Sequence, residues 1–201
     1  MTKLLIFDFD GVIADSLPAV VGIINSELNH HIGSQITPEE IRAYGAKALF
    51  RKFGISGLKM LIYSRQMHEA VGKHLHEIKP CMGMKELLQR LKFCKLAIVT
   101  SNSTQNAQDF LESNSIKCFT FVLGGVRMFG KESKLRQAMK LAHSTRENTL
   151  FIGDEVSDIE AAKRAGVKIA AVTWGFNSKE LLEKGKPDYL IDKPEQLLKL
   201  I

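Results

Sequence analysis

Short apolar runs that alternate with helical patterns constrain this chain more than any other feature of its sequence. Leu4–Phe7, Leu96–Thr100, Phe119–Leu123, Thr149–Ile152 and Ile169–Thr173 are rich in Ile, Val, Leu and Phe, with a weaker run, Tyr189–Ile191, near the end. Runs of this length read as strands buried on both faces. Helical patterns follow at Met84–Leu91, Thr104–Ser113, Ser133–Ala142, Asp158–Ala165 and Lys179–Glu183. Repeated βαβ units predict an α/β fold with a Rossmann-like parallel sheet. Residues 16–79 break the alternation, because they hold no convincing strand but several amphipathic patterns, such as LPAVVGIINSEL and PEEIRAYGAKALFRKFG. An insertion there, after the first strand, lies where open α/β sheets bind ligands. The expected organisation is a core of residues 1–15 and 80–201 and an inserted α-helical cap of residues 16–79.

Composition narrows the partners. With 201 residues, 45% apolar and 25% charged, the chain is too apolar for disorder and long enough to need no disulfides or structural metal. Its three cysteines, Cys81, Cys94 and Cys118, are far apart and form no C-x-x-C pair, which predicts reduced thiols. The apolar run at the start is interrupted by Asp8 and Asp10 too early for a secretory segment, and no stretch approaches the ~18 apolar residues of a membrane span. A cytoplasmic protein with no membrane partner is expected. The formal charge of +6 favours anionic partners without distinguishing nucleic acid from a small phosphorylated metabolite.

Four features carry chemistry. The first strand delivers Asp8-Phe9-Asp10-Gly11, whose acids share one face because side chains alternate along a strand. Two such carboxylates need a divalent cation or a shared proton, and could act as nucleophile and proton donor. A helix cap or solvated turn is the competing reading of this pair. The second run ends in Thr100-Ser101-Asn102-Ser103 before a helix, a set that suits an anion at a helix N-terminus or simply caps the helix. Third, Gly153-Asp154-Glu155-Val156-Ser157-Asp158 follows another strand. Its acids either complement the helix dipole or join Asp8 and Asp10 in an oxygen-only cluster suited to Mg²⁺ rather than zinc. Fourth, Arg127, Lys131, Lys134, Arg136, Lys140 and Arg146 face a single acid, Glu132. Most of these charges are expected to solvate a helix face. Lys131, after Gly130 between strand and helix, is placed to reach the same crevice.

Taken in order, DFDGVIADS, IVTSN, a G-K pair and IGDEVSDIEAAKRAG resemble the four motifs of the haloacid dehalogenase superfamily over nearly the whole chain. More narrowly they are similar to its phosphoglycolate-phosphatase-like hydrolases with a small helical cap. The resemblance implies a Mg²⁺-dependent phosphatase that acts on a small phosphomonoester through an aspartyl-phosphate intermediate. Asp8 would be the nucleophile and Asp10 the general acid and base. Mg²⁺ would be held by the Asp8 and Asp154 carboxylates and the Asp10 carbonyl, with Asp158 behind them. Thr100, Ser101, Asn102 and Lys131 would grip the phosphoryl group. An acid at Asp10 favours phosphorus chemistry over dehalogenation, since halide leaves without protonation.

The sequence departs from the family's commoner pattern at Val12, at Glu132-Ser133 after the lysine, and at Glu155 beside Asp154. The choice between Lys131 and Lys134 therefore stays open at this level, as does the part played by Glu155. Tyr44-Gly45-Ala46-Lys47 resembles the glycine turn that dips towards substrate, and eight basic against five acidic residues make the cap mildly positive. His30-His31 and His74-x-His76 lack metal-ligand spacing and read as surface histidines, and Trp174 reads as packing. Two other functions compete: a phosphosugar mutase of the β-phosphoglucomutase type, and a non-enzymatic phospho-acceptor of the receiver kind. The acceptor's place on the first strand and the helical insertion oppose the receiver. The densest basic run lies around Lys131, and no aromatic-basic interleaving marks a nucleic-acid surface. The expected partner is a small phosphorylated metabolite, with the protein a monomer or homodimer.

Overall fold

The structure, a computed structural model, describes residues 3–27, 34–55, 57–125 and 130–201. Six strands, β1 (Leu4–Phe7), β2 (Lys95–Val99), β3 (Phe121–Leu123), β4 (Thr149–Gly153), β5 (Lys168–Val172) and β6 (Tyr189–Ile191), form one parallel sheet. The order is β3-β2-β1-β4-β5-β6, with β1 paired to β2 through Leu5 and Leu96 and to β4 through Leu5 and Leu150. The chain builds outwards from β1 in one direction and then in the other, so the order reverses between β1 and β4. Crevices at such reversals, at the carboxyl ends of the strands, are where open α/β sheets bind ligands.

The strands are apolar runs because both faces are covered. Leu5, Phe7, Ile98 and Ile152 enter one buried cluster, with α5 (Met84–Arg90) and α6 (Thr104–Ser113) supplying Leu87, Leu88 and Phe110. Leu4, Ile6, Val99 and Phe151 face the other way, towards Leu135 of α7 (Lys131–Leu141) and Ile159 of α8 (Val156–Ala165). β3 starts at Phe121, two residues later than its apolar run predicts, and it is only half-buried because it pairs with β2 alone. Lys131, expected between strand and helix, is the first residue of α7.

Residues between β1 and α5 form α1 (Leu17–Glu27), α2 (Pro38–Tyr44), α3 (Ala46–Lys52) and α4 (Gly57–Lys73). The pattern that reads as one amphipathic run from Pro38 is two helices, divided at Gly45. Its φ of 74° is outside the helical range, while its N–H still closes α2 on Ile41. Thr37 starts α2 with a capping box to Glu40. Leu17, Ile24, Ile41, Leu49 and Phe50 make a third apolar cluster, apart from the two on the sheet. The chain leaves and re-enters the sheet region side by side: Asp15 N–H donates to Lys79 O (2.9 Å) and Cys81 N–H to Ile13 O (2.8 Å). Among the described residues no helix is long and apolar enough to cross a membrane, and Cys81, Cys94 and Cys118 are free thiols.

Candidate active site

Asp8 follows β1 directly and is almost wholly buried. Its Oδ1 accepts from the Phe9 N–H at 2.8 Å, and its Oδ2 accepts from Lys131 Nζ at 2.8 Å. The same ammonium donates to Asp158 Oδ1 at 2.6 Å. Asp158, fully buried as the third residue of α8, turns its Oδ2 to the backbone N–H groups of Asp154 (3.1 Å) and Glu155 (3.2 Å). Asp158 thus serves the helix start, in a reciprocal capping box with Glu155, and also holds Lys131. The helix-start reading therefore applies to Asp158, which also lies beside Asp8 through their shared lysine. Of the two lysines that the sequence leaves open, Lys131 is the one that meets Asp8.

Asp154 lies at the end of β4, between two glycines. A Cβ on Gly11 would stand 2.1 Å from Asp154 Oδ2, and one on Gly175 would stand 2.2 Å away, so a side chain at either position displaces the carboxylate. Gly11 is doubly required, since its φ of 74° makes the turn in which Ile13 and Ala14 both donate to Phe9 O. Asp154 Oδ2 accepts from Phe176 N–H at 2.7 Å, while Oδ1 is buried without a partner among the described residues.

The neighbouring side of the crevice is neutral. Asp10 Oδ2 accepts from Asn102 Nδ2 at 3.0 Å, and Asn102 Oδ1 in turn accepts from Ser103 N–H (2.8 Å) and Asn106 Nδ2 (2.9 Å). Asn102 N–H donates to Thr100 Oγ1 at 3.0 Å, and both residues are fully buried. Ser103 is the side-chain cap of α6, accepting from Asn106 N–H at 3.0 Å, which leaves Thr100, Ser101 and Asn102 free of that duty. Ser101 is exposed, and Asp10 Oδ1 is buried and unpartnered among the described residues.

Electrostatics follow from this placement. Burial, reinforced by Asp158 and only partly countered by Lys131, pushes Asp8 up to about 7. Asp154 is held well above the usual carboxylate range, by burial first and then by Asp158 and Asp8. Burial alone would favour a neutral Lys131, but the two carboxylates outweigh it and hold its ammonium well above the ordinary lysine value. Asp8, Asp154 and Asp158 each offer an oxygen within 4.8 Å of the others. Three carboxylates against one ammonium, with an orphaned oxygen on Asp154, fit a hard divalent cation taking oxygen ligands.

The remaining expectations are placed as follows. Trp174 is partly buried against the core and donates its indole N–H to Val12 O at 3.3 Å. His74 pairs with Glu77 on the surface. His30, His31 and Arg127, and the side chain of Lys47, lie outside the described residues. Glu155 accepts from Ser157 Oγ at 2.8 Å as well as starting α8. The sequence reading misses Asn106, and it takes the run Val172–Phe176, where the family commonly has a loop beside the site, as packing around Trp174, with no part for the backbone of Phe176 or Asn177. Asn106 stands four residues after Asn102 on α6, a spacing that was available as a signal. The second segment acts through backbone N–H groups, which leave no side-chain signature.

Paired aspartates, a small polar turn and a largely buried lysine thus stand together at the reversal of the sheet. Residues 5–172 match the family model described as haloacid dehalogenase-like hydrolase, and the chain belongs to that family. It is 30% identical over 204 residues to a phosphoglycolate phosphatase of Synechococcus elongatus, covering 98% of this chain and 96% of that one. It is 31% identical over 211 residues to the putative pyrophosphatase PpaX of Caldanaerobacter subterraneus, covering 98% and 93%. The crystal structure of a predicted phosphoglycolate phosphatase from Haemophilus somnus superposes with a TM-score of 0.77 at 25% identity, covering 99% and 97%. The protein is an enzyme, a haloacid dehalogenase-like phosphatase. A receiver-type signalling module is thereby set aside.

Proposed function

We propose that the chain hydrolyses a small phosphomonoester through a phosphoryl group carried on Asp8, with residues 1–15 and 80–201 as catalytic core and residues 16–79 as a cap over the crevice. The observation that carries this reading is Asp8 gripped by Lys131 at 2.8 Å, with Asp10 two residues on and turned by Asn102 so that one buried oxygen has no partner. A nucleophile and a separate proton carrier are what ester cleavage at phosphorus requires.

The Asp8 carboxylate forms a bond to phosphorus as the ester P–O bond breaks, and Asp10 gives its proton to the leaving alkoxide. Asp10 then takes a proton from the water that attacks the aspartyl phosphate, which releases inorganic phosphate and restores Asp8. Thr100, Ser101, Asn102 and Lys131 bind the transferring group, with the Lys131 ammonium offsetting its negative charge. Asp158 keeps that ammonium aimed at Asp8. Mg²⁺ would be held by the carboxylates of Asp8 and Asp154 and the main-chain carbonyl of Asp10, with Asp158 behind them. When bound, it supplies a Lewis acid that neutralises the carboxylates and the phosphoryl oxygens. The three free cysteines accord with a cytoplasmic setting.

The test is release of inorganic phosphate from a panel of phosphorylated metabolites and aryl phosphates, with and without Mg²⁺. Phosphate release that needs Mg²⁺ is the expected result. Metal-independent hydrolysis would overturn the reading, and so would isomerisation of a sugar phosphate without phosphate release.

A further inference from the structure

The segment Gly175–Ser178 is bound from both sides. Towards the sheet, Phe176 N–H donates to Asp154 Oδ2 at 2.7 Å and Asn177 N–H to Asp154 O at 3.3 Å. Asn177 Oδ1 also accepts from Val156 N–H at 2.9 Å, two residues beyond Asp154. Towards the inserted helices, Gly175 O accepts from Arg42 Nε at 3.1 Å, and Ser178 N–H donates to Arg42 O at 2.8 Å. The Phe176 side chain belongs to the apolar cluster of Leu17, Ile41 and Phe50, although its N–H belongs to Asp154. Gly45, the break between α2 and α3, comes close to Asn177 and Leu181, since a Cβ there would lie 3.5 Å and 3.7 Å from their side chains.

We propose that this strap ties the seating of the inserted helices to the geometry of Asp154, with Arg42 as a positioning residue for the cation site. Phe176 N–H is the group that fixes which Asp154 oxygen is occupied and which, Oδ1, is left bare. That N–H is held where it is by Arg42 on one side of the residue and by the Phe176 ring on the other. The carboxylate has no slack to compensate for a shift, because Gly11 and Gly175 leave no room beside Oδ2. Lifting α2 from the strap removes the Arg42 contacts and lets the donor leave Asp154. By linkage the converse holds: a cation on Asp154 favours the seated arrangement by the same factor. The inference rests on the assignment of Asp154 as a cation ligand made above.

The experiment is calorimetric titration of the metal-free protein with Mg²⁺ alone, for wild type, Arg42→Ala, Arg42→Lys and Asp154→Asn. Arg42 lies on an inserted helix and touches none of the carboxylates, so a structural staple would leave Mg²⁺ affinity unchanged. The proposal expects Arg42→Ala to raise the dissociation constant about 3- to 10-fold, the worth of one net hydrogen bond. Arg42→Lys should recover part of this loss, since an ammonium can still donate to Gly175 O. Hydrogen exchange supplies the reciprocal readout: Mg²⁺ should slow exchange of the α2 amides in the wild type and do so less in Arg42→Ala. If Arg42→Ala does not fold, Phe176→Leu, which keeps the N–H and shortens the ring contact, should weaken Mg²⁺ binding in the same direction. Wild-type affinity in Arg42→Ala overturns the proposal even if that variant melts earlier. Wild-type affinity in Asp154→Asn removes the cation assignment itself, so the two failures are told apart.

Discussion

On the β4 and β5 side of the crevice, Asp8 and Asp158 share one ammonium while Asp154 beside them is pinned by a backbone N–H, whereas on the β2 side Asp10 is turned by neutral amides, Asn106 to Asn102 to Asp10. The first side gathers three carboxyl groups around one ammonium and leaves an unfilled oxygen on Asp154. The second side carries oriented dipoles and hydroxyls at the start of α6. The difference shows how one strand, β1, can present two aspartates with unlike duties. Asp8 belongs to the charged side, on the Lys131 ammonium, and Asp10 to the neutral side, on the Asn102 amide, a division that matches the nucleophile and proton-carrier roles proposed above.

Variants of the charged side should produce the largest effects. Lys131→Ala strands Asp8 and Asp158 without their cation, and breaking a buried pair in this way should cost about 3 kcal/mol in chemical denaturation of the metal-free protein. A wild-type midpoint for that variant would mean that the carboxylates are not charged together. Gly175→Ala forces a methyl against Asp154, and overpacking of that kind costs about 1–3 kcal/mol; a Mg²⁺ affinity lowered about tenfold in titration is expected.

The same side predicts an unusual pH dependence. Asp8 in the folded, metal-free protein titrates near 7, above its ordinary value of 3.8, so its protonated form favours folding. Its contribution to stability is fully present below about 3.8 and is lost as pH rises through about 7. Stabilisation by Mg²⁺, read as a shift in melting temperature, should therefore grow from pH 6 to pH 8, roughly the span over which Asp8 loses its proton. A shift that shrinks over that range would contradict the arrangement. On the neutral side the effect should be smallest. Asn106→Ala removes one donor to Asn102 and should lower kcat by about 3- to 10-fold, with Mg²⁺ affinity unchanged. An equal loss of Mg²⁺ affinity would erase the distinction between the two sides.

Much of this was readable from residues alone, and the reasons differ by element. β1, β2, β4 and β5 are apolar on both faces because helices cover both, so each stands out as an unbroken run with ends misplaced by a residue at most. Asp8 and Asp154 are visible because they follow such runs directly, and Asp10 and Asp158 because they come within a few residues of them. Gly45 stands out as a glycine turn only by resemblance, because the apolar spacing of the helical pattern continues across it and its φ is what shows the break between two helices. The run after β5 is legible as a loop by resemblance but its role is not, because its work is done by the N–H groups of Phe176 and Asn177, which any residue but proline would offer. Asn106 looks like an ordinary polar position on α6 until Asn102 is seen facing it.

The central claim is that Asp8 carries the phosphoryl group. It is tested most directly by acid-quenching the enzyme during turnover of an aryl phosphate with Mg²⁺ and locating phosphate on the digested peptides by mass spectrometry. The account predicts a phosphoryl group on Asp8 in the wild type, none in Asp8→Asn, and hydrolysis slowed at least about a thousand-fold in that variant. Phosphate on another residue, or undiminished hydrolysis by Asp8→Asn, would contradict it.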